Sequence, residues 1–235
     1  MNLKRLPRPL KSLLLPFIQL FAKTHLKNYA ELNFWKEKWE QENHKLSNAN
    51  YEKIFLAMAE EKDTSFLDGK IVADFGCGPR GSLCWAKSAS KRIGIDVLVD
   101  KYEKFEISKH NIEYIKNTEK SIPLPSDYLD ILFTLNAIDH VSNFDIICRE
   151  IVRIIKPGGE LIGSFNLNEP KSASEPQTLT EEIIQEELLQ YFDIINYRIR
   201  PRCPKGDYYS YSFNGSLLDL LPDEPGYLWV RSKKK

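Results

Sequence analysis

Cysteine is scarce in this chain: four in 235 residues, none in a C-x-x-C pair. That excludes a zinc ribbon and a scaffold built on disulfides, and Cys77, Cys84, Cys148 and Cys203 are expected to be thiols in a reducing compartment. An excess of either charge is missing too, because 33 Lys and Arg stand against 33 Asp and Glu. No global field therefore draws in nucleic acid, and a small or neutral partner is expected. A run of apolar residues long enough to span a bilayer, about 20 of them, is also lacking. The nearest approach is S-L-L-L-P-F-I-Q-L-F-A, Ser12 to Ala22, preceded by Lys4, Arg5, Arg8 and Lys11. It imitates a signal peptide, but Leu20 falls where cleavage after Ala22 needs a small residue. Leu10, Leu13, Leu14, Phe17, Ile18 and Phe21 share one face of a helix, which suits a helix lying in a membrane surface or one packed on protein. The expected location is cytoplasmic, and the first of these alternatives would add peripheral contact at the inner face of the membrane through residues 1–23.

What the chain does have is concentrated between Ile71 and Leu98. I-V-A-D-F-G-C-G-P-R-G-S-L leads through a stretch with room for a short helix into K-R-I-G-I-D-V-L. An apolar run ends in an acid, glycines follow at fixed spacing, and a second apolar run ends in another acid; this predicts strand, turn, helix and strand of a parallel α/β sheet. Gly76, Gly78 and Gly81 allow a sharp turn and a close ligand approach, and Asp96 closes the second strand where a ribose expects its carboxylate. Two ligands fit this much. Gly76-x-Gly78-x-x-Gly81 with an acid twenty residues on satisfies the dinucleotide fingerprint. Asp74, two residues before the first glycine, would repel a pyrophosphate, whereas a zwitterionic amino acid bearing a sulfonium tolerates it.

The D-x-G-x-G order at Asp74 to Gly78, with Asp96 as second-strand acid, resembles the first motifs of the class I S-adenosylmethionine-dependent methyltransferases, of the type 11 kind. Two later stretches extend the resemblance to roughly residues 71–166: I-P-L-P-S-D-Y-L-D before a fourth strand, and R-I-I-K-P-G-G after a helix. It implies a doubly wound, Rossmann-like sheet of seven strands, mostly parallel with an antiparallel seventh, and S-adenosylmethionine as cofactor. The cofactor residues it implies are Asp74, Gly76, Cys77, Gly78, Arg80, Asp96, Val97, Thr118, Glu119 and Asn136. Thr118 stands where the family carries the acid that receives the adenine amino group, so adenine falls to Glu119 through its side chain or backbone N–H. The Asn/Asp-Pro-Pro-Tyr tetrapeptide of amino methylation on DNA and the paired-glutamate loop of the arginine methyltransferases are both absent. That leaves a hydroxyl or amine on a small molecule, a sugar or a lipid-linked glycan as acceptor.

A hydroxyl acceptor must lose its proton as it attacks, and histidine titrates in the useful range. Of His25, His44, His110 and His140, His140 falls in a ligand-facing loop at the end of the fourth strand. His140 is therefore the expected base, with Asp139 or Glu169 orienting it or replacing it. Asp139 and Glu169 alone are too few ligands to assign a metal.

The remainder frames that site. Residues 1–66 form a helical extension and 67–235 the methyltransferase domain, with 201–226 inserted as a lid over substrate. Tyr29, Phe34, Trp35 and Trp39 either fasten an N-terminal helix to the domain or cap the cofactor pocket. Ile54, Phe55, Met58 and Ala59 face inward from a second helix. Val99 to His110 is expected as an exposed crossover helix, and Ile112 to Ile115 as the third strand. Ser142 caps a helix whose stripe is Phe144, Ile147, Ile151, Ile154 and Ile155, and Thr178-x-x-Glu181 opens the next as a capping box. Phe192 to Ile199 and Tyr227 to Arg231 are strands six and seven. Tyr208, Tyr209, Tyr211 and Phe213 wall the site or cover the sheet edge. Two rival functions stay open: a nicotinamide-dependent oxidoreductase, and a non-catalytic module that binds an adenosyl ligand.

Overall fold

The computed structural model describes residues 8–172, 175–203, 208–215 and 219–235, with the side chains of residues 8–23 outside that description. The apolar and basic face expected over residues 1–23 therefore lies outside the described residues. Among the described residues no helix is long and apolar enough to cross a membrane.

Seven strands make one sheet: β1 (Ile71–Phe75), β2 (Lys91–Asp96), β3 (Glu113–Lys116), β4 (Leu129–Leu135), β5 (Ile155–Leu167), β6 (Phe192–Pro201) and β7 (Gly226–Lys234). Their order is β3-β2-β1-β4-β5-β7-β6. β1 to β5 pair in parallel, and β7 runs antiparallel between β5 and β6. This is the expected doubly wound α/β sheet with its reversed seventh strand. Strand order turns back between β1 and β4, so a crevice opens beyond their carboxyl ends.

Both faces of the central strands are covered, which is why β1, β2 and β4 read as continuous apolar runs. On one side α3 (Phe144–Ile154) packs Ile147, Cys148, Ile151 and Ile154 against Ala73, Phe75, Ile93 and Leu132. On the other, Phe55, Met58 and Ala59 of α2 (Tyr51–Ala59) meet Val72, Ile131, Phe133 and Trp229, with Phe55 stacked on Phe133 at 4.8 Å. α1 (Arg8–Gln41) is one helix of 34 residues. Two short helices, α4 (Glu181–Glu187) and α5 (Ser210–Phe213), complete the set.

Several elements depart from the sequence reading. No α-helix joins β1 to β2: residues 77–90 form successive turns. Gly78, Pro79 and Gly81 prevent helix propagation there, while Leu83 and Ala86 drop into the core. Val99 to His110 is three short 3-10 segments rather than a crossover helix, broken by left-handed backbone at Glu106 and Asn111. Nor is it exposed. Tyr102 and Phe105 are buried beneath Leu32, Trp35 and Trp39 of α1, which supplies the cover that the missing helix would have given. Ser142 does not cap α3; Asn143 holds that position without a side-chain bond, while the Ser142 hydroxyl accepts from Lys27 Nζ at 3.4 Å and its N–H donates to Glu119 at 2.9 Å. The capping residue of α4 is Thr180, whose hydroxyl accepts from Ile183 N, while Thr178 donates to the Glu169 carbonyl.

Candidate functional site

The glycine turn is built by backbone that other residues resist. Gly76, Gly78 and Gly81 all have positive φ, at 73°, 55° and 75°. A Cβ on Gly76 would lie 2.1 Å from the Cβ of Ala137, so β1 and the end of β4 touch there through bare backbone. Asp96 braces the turn from β2: its carboxylate accepts from Gly78 N at 3.0 Å, Leu98 N at 2.8 Å and the Tyr102 hydroxyl at 3.1 Å. Burial raises the Asp96 pKa against those three donors. Asp74, at the end of β1, is 2 % exposed. One of its oxygens accepts from the Ser82 hydroxyl, and the other, Oδ1, is buried with no hydrogen-bond partner. Burial, reinforced by the nearby charge of Asp96, pushes the Asp74 carboxyl up to about 7.

These groups face a cavity of ≈ 410 Å³, within the range of small-molecule sites. Of the ten cofactor residues expected, Asp74, Gly76, Cys77, Asp96, Val97, Thr118, Glu119 and Asn136 line it, whereas Gly78 and Arg80 do not. The Trp35 ring covers Gly78, where an added Cβ would come within 2.6 Å of it. Arg80 instead fastens the turn to the end of α1, as a bidentate pair with Glu42 and a bond to the Ser47 carbonyl at 2.8 Å.

α1 supplies the wall that the sequence reading left open. Lys27, Ala30, Glu31, Phe34 and Trp35 all line the cavity, so two of the four aromatics cap it. Trp39 fastens the helix to Phe105, and Tyr29 stays exposed. Lys27, 5 % exposed, pairs with Glu119 and donates to the His140 carbonyl at 2.8 Å. Glu31 is pushed up to about 7, by burial first and the Asp96 charge second. Lys27, Glu31 and Trp35 recur every four residues, a signal present in the sequence but indistinguishable there from an ordinary solvated helix face.

The opposite end of the cavity is made by the loops after β4 and β5. Asn136 takes left-handed backbone, φ 49°, and its amide joins the Tyr209 hydroxyl and Ser164. Asp139 is 3 % exposed. Its Oδ2 accepts from Asn166 Nδ2 at 2.9 Å, and Asn166 accepts in turn from the Tyr208 hydroxyl at 2.9 Å. His140 lines the cavity, its Nε2 lying 3.9 Å from Asp139 Oδ1 and 3.8 Å from Glu175 Oε1. Glu169, expected beside them, does not line the cavity and pairs with Arg202 at 3.1 Å. Glu175, eight residues after β5 in a Ser- and Pro-containing loop, takes its place.

Residues 73–163 match the family described as "Methyltransferase domain". The match spans 91 of the 235 residues, and over that stretch the chain is similar to the class I S-adenosylmethionine-dependent methyltransferases. Among curated relatives, a sterol 24-C-methyltransferase of Pneumocystis carinii is 22% identical over 173 residues, 64% of this chain and 46% of its own length. A ubiquinone/menaquinone biosynthesis C-methyltransferase, UbiE, of Shewanella pealeana is 24% identical over 117 residues, 48% of this chain and 41% of its own length. The chain thus spans less than half the length of either. In fold it is similar to an S-adenosylmethionine dependent methyltransferase from Mesorhizobium loti, with TM-score 0.56, 18% identity, and 76% and 95% of the two chains covered.

The cavity suits S-adenosylmethionine on grounds of its own. The unpartnered Asp74 Oδ1, buried beside the glycine turn, is an acceptor awaiting a cationic donor such as an amino-acid ammonium. Asp74, Asp96 and Glu31 together make the cavity favour positive charge over a pyrophosphate. Gly76, Cys77, Asp96 and Val97 would hold the methionyl and ribosyl portions, Thr118, Glu119 and Asn117 the base. Lys27 cross-links this floor to α1 from an almost fully buried position. Replacing Lys27 by alanine leaves Glu119 without its cation and frees the helix, so S-adenosylhomocysteine affinity is expected to fall about tenfold, near 1.4 kcal/mol. Calorimetric titration checks it; an unchanged affinity removes α1 from the cofactor wall.

Proposed function

We propose that the domain transfers the methyl group of S-adenosylmethionine to the oxygen of a hydroxyl-bearing acceptor, a small molecule, sugar or lipid-linked glycan intermediate. One observation carries the reading: the cavity runs from the glycine turn and Asp74 to a polar cluster at His140, so donor and proton-accepting groups share one cavity. The cofactor supplies a methyl carbon already activated by its sulfonium, and what the protein adds is alignment and exclusion of water. Trp35, Phe34 and Tyr51 shed water from the donor half of the cavity. As the acceptor oxygen forms its bond to the methyl carbon, its proton passes to His140 Nε2. Asp139 and Glu175, each within 4 Å of that nitrogen, stabilise the charge that results.

A carbon acceptor is the second reading, favoured by the names of the two curated relatives, both C-methyltransferases. The same cluster would then take a proton from the acceptor's ring or chain. Incubation of the purified protein with radiolabelled S-adenosylmethionine and fractionated cell extract, followed by hydriodic acid cleavage of the product, separates the two: O-methyl label is released as methyl iodide and C-methyl label stays on the acceptor. Label in no fraction, despite a melting shift with S-adenosylhomocysteine, would reduce the protein to a binding module.

A further inference from the structure

Asp139 presents a puzzle that a proton acceptor alone does not resolve. A carboxylate this deeply buried normally has every oxygen satisfied, yet only Oδ2 is, by Asn166. Oδ1 has no donor and sits 3.9 Å from His140 Nε2, beyond hydrogen-bond reach. Glu175 Oε1 approaches the same nitrogen at 3.8 Å. The three donor atoms lie within 4.8 Å of one another. Donors around a first-row ion bonded at about 2.0–2.2 Å stand roughly 3 to 4.4 Å apart, so closing by a few tenths of an ångström would bring all three into coordination.

We propose that Asp139, His140 and Glu175 form a binding site for one divalent transition-metal ion at the acceptor end of the cavity. The unpartnered Asp139 oxygen is the observation that asks for a cation. Its carboxylate is already oriented as metal sites require, by a second layer in which Tyr208 fixes Asn166 and Asn166 fixes Asp139. Glu175 is held by hydrogen bonds with Ser172, one to its Oε2, which leaves Oε1 for the ion. One imidazole and two carboxylates form a mixed nitrogen and oxygen set that suits Mn²⁺, Co²⁺ or Zn²⁺ better than Ca²⁺. His140 and Glu175 both line the cavity, so the open coordination positions face it. An acceptor able to offer two neighbouring oxygens to one ion is the ligand class that fits.

Ion binding itself needs no acceptor. Only its consequence rests on the methyl-transfer reading: with the ion present, His140 Nε2 holds metal instead of a proton, and the ion's charge acidifies the acceptor hydroxyl, whose proton leaves to water.

The test is a titration of Mn²⁺ into the full chain after chelator treatment, with free Mn²⁺ followed by electron paramagnetic resonance. One ion per chain is expected. His140→Ala, Asp139→Asn and Glu175→Gln should each weaken binding at least tenfold, and Asn166→Ala about tenfold, whereas Glu169→Gln should leave it unchanged. Should Asp139→Asn fail to fold, Glu175→Gln carries the test, since Glu175 sits on a part-exposed loop. Absence of stoichiometric binding, or binding undiminished in His140→Ala, overturns the proposal. The melting shift with S-adenosylhomocysteine is recorded on the same samples. A wild-type protein that takes Mn²⁺ but shows no such shift supports the metal site and overturns the donor cavity; transfer that persists undiminished in chelator overturns the metal's role and leaves His140 as base.

Discussion

Gly76→Ala is expected to abolish S-adenosylhomocysteine binding and to lower the folding free energy by roughly 2–5 kcal/mol. Left-handed backbone costs a residue with a Cβ about 1–2 kcal/mol, and forcing a methyl into a filled space adds about 1–3 kcal/mol. Both apply here, since Gly76 has φ 73° and its added Cβ would collide with Ala137 at 2.1 Å. Gly69 separates the two effects: its φ is 69°, yet nothing lies within 4 Å of a Cβ built there. Gly69→Ala should therefore lose only the backbone share, about 1–2 kcal/mol, with ligand binding intact. Urea unfolding at constant m reads both. Equal losses in the two proteins would show that the contact with Ala137 is not what limits position 76.

Asp74→Asn should move stability and affinity in opposite directions. The folded carboxyl titrates at about 7 against 3.8 unfolded. A raised folded pKa means that stabilisation by the protonated group is complete below pH 3.8 and is lost as pH climbs through about 7. A carboxyl displaced that far upward forfeits about 4 kcal/mol at most once it is fully ionised. Asparagine cannot ionise, so the ligand-free variant should melt several degrees above wild type at pH 8 and close to it at pH 4. An ammonium in the cavity needs the ionised carboxylate, so wild-type affinity for S-adenosylhomocysteine should tighten as pH rises towards 7. In Asp74→Asn it should fall more than tenfold at pH 8. Calorimetry and thermal melts across pH check both signs, and a melting difference independent of pH would show that Asp74 is ionised throughout.

Much of the cavity floor was legible because it is built from residue types with few other uses. Glycines with positive φ, an acid at the end of each of two strands, and β-branched runs buried on both faces leave little freedom in reading β1, the turn and β2. The wall above them was not legible. Lys27 and Glu31 sit in a polar, aromatic-spotted helix whose sequence equally fits an exposed surface, and only the fold shows them buried beneath it. Glu175 and Glu169 lie six residues apart in one loop. Arg202, arriving from the far end of β6, decides which of them is neutralised, and no local pattern encodes that. The reading of 99–110 failed for the same reason. Tyr102 and Phe105 were seen as a sparse apolar face because their partners are more than sixty residues upstream.

The turns that replace a helix after β1 bear on which ligands the crevice admits. A helix starting at the glycines would aim the positive end of its macrodipole, roughly half an elementary charge, into the site. Dinucleotide sites exploit that field to neutralise their pyrophosphate. Here residues 77–90 generate no such field, and the strongest fixed charges nearby are carboxylates. Electrostatics, before any shape argument, therefore sorts nicotinamide dinucleotides from sulfonium amino acids at this entrance.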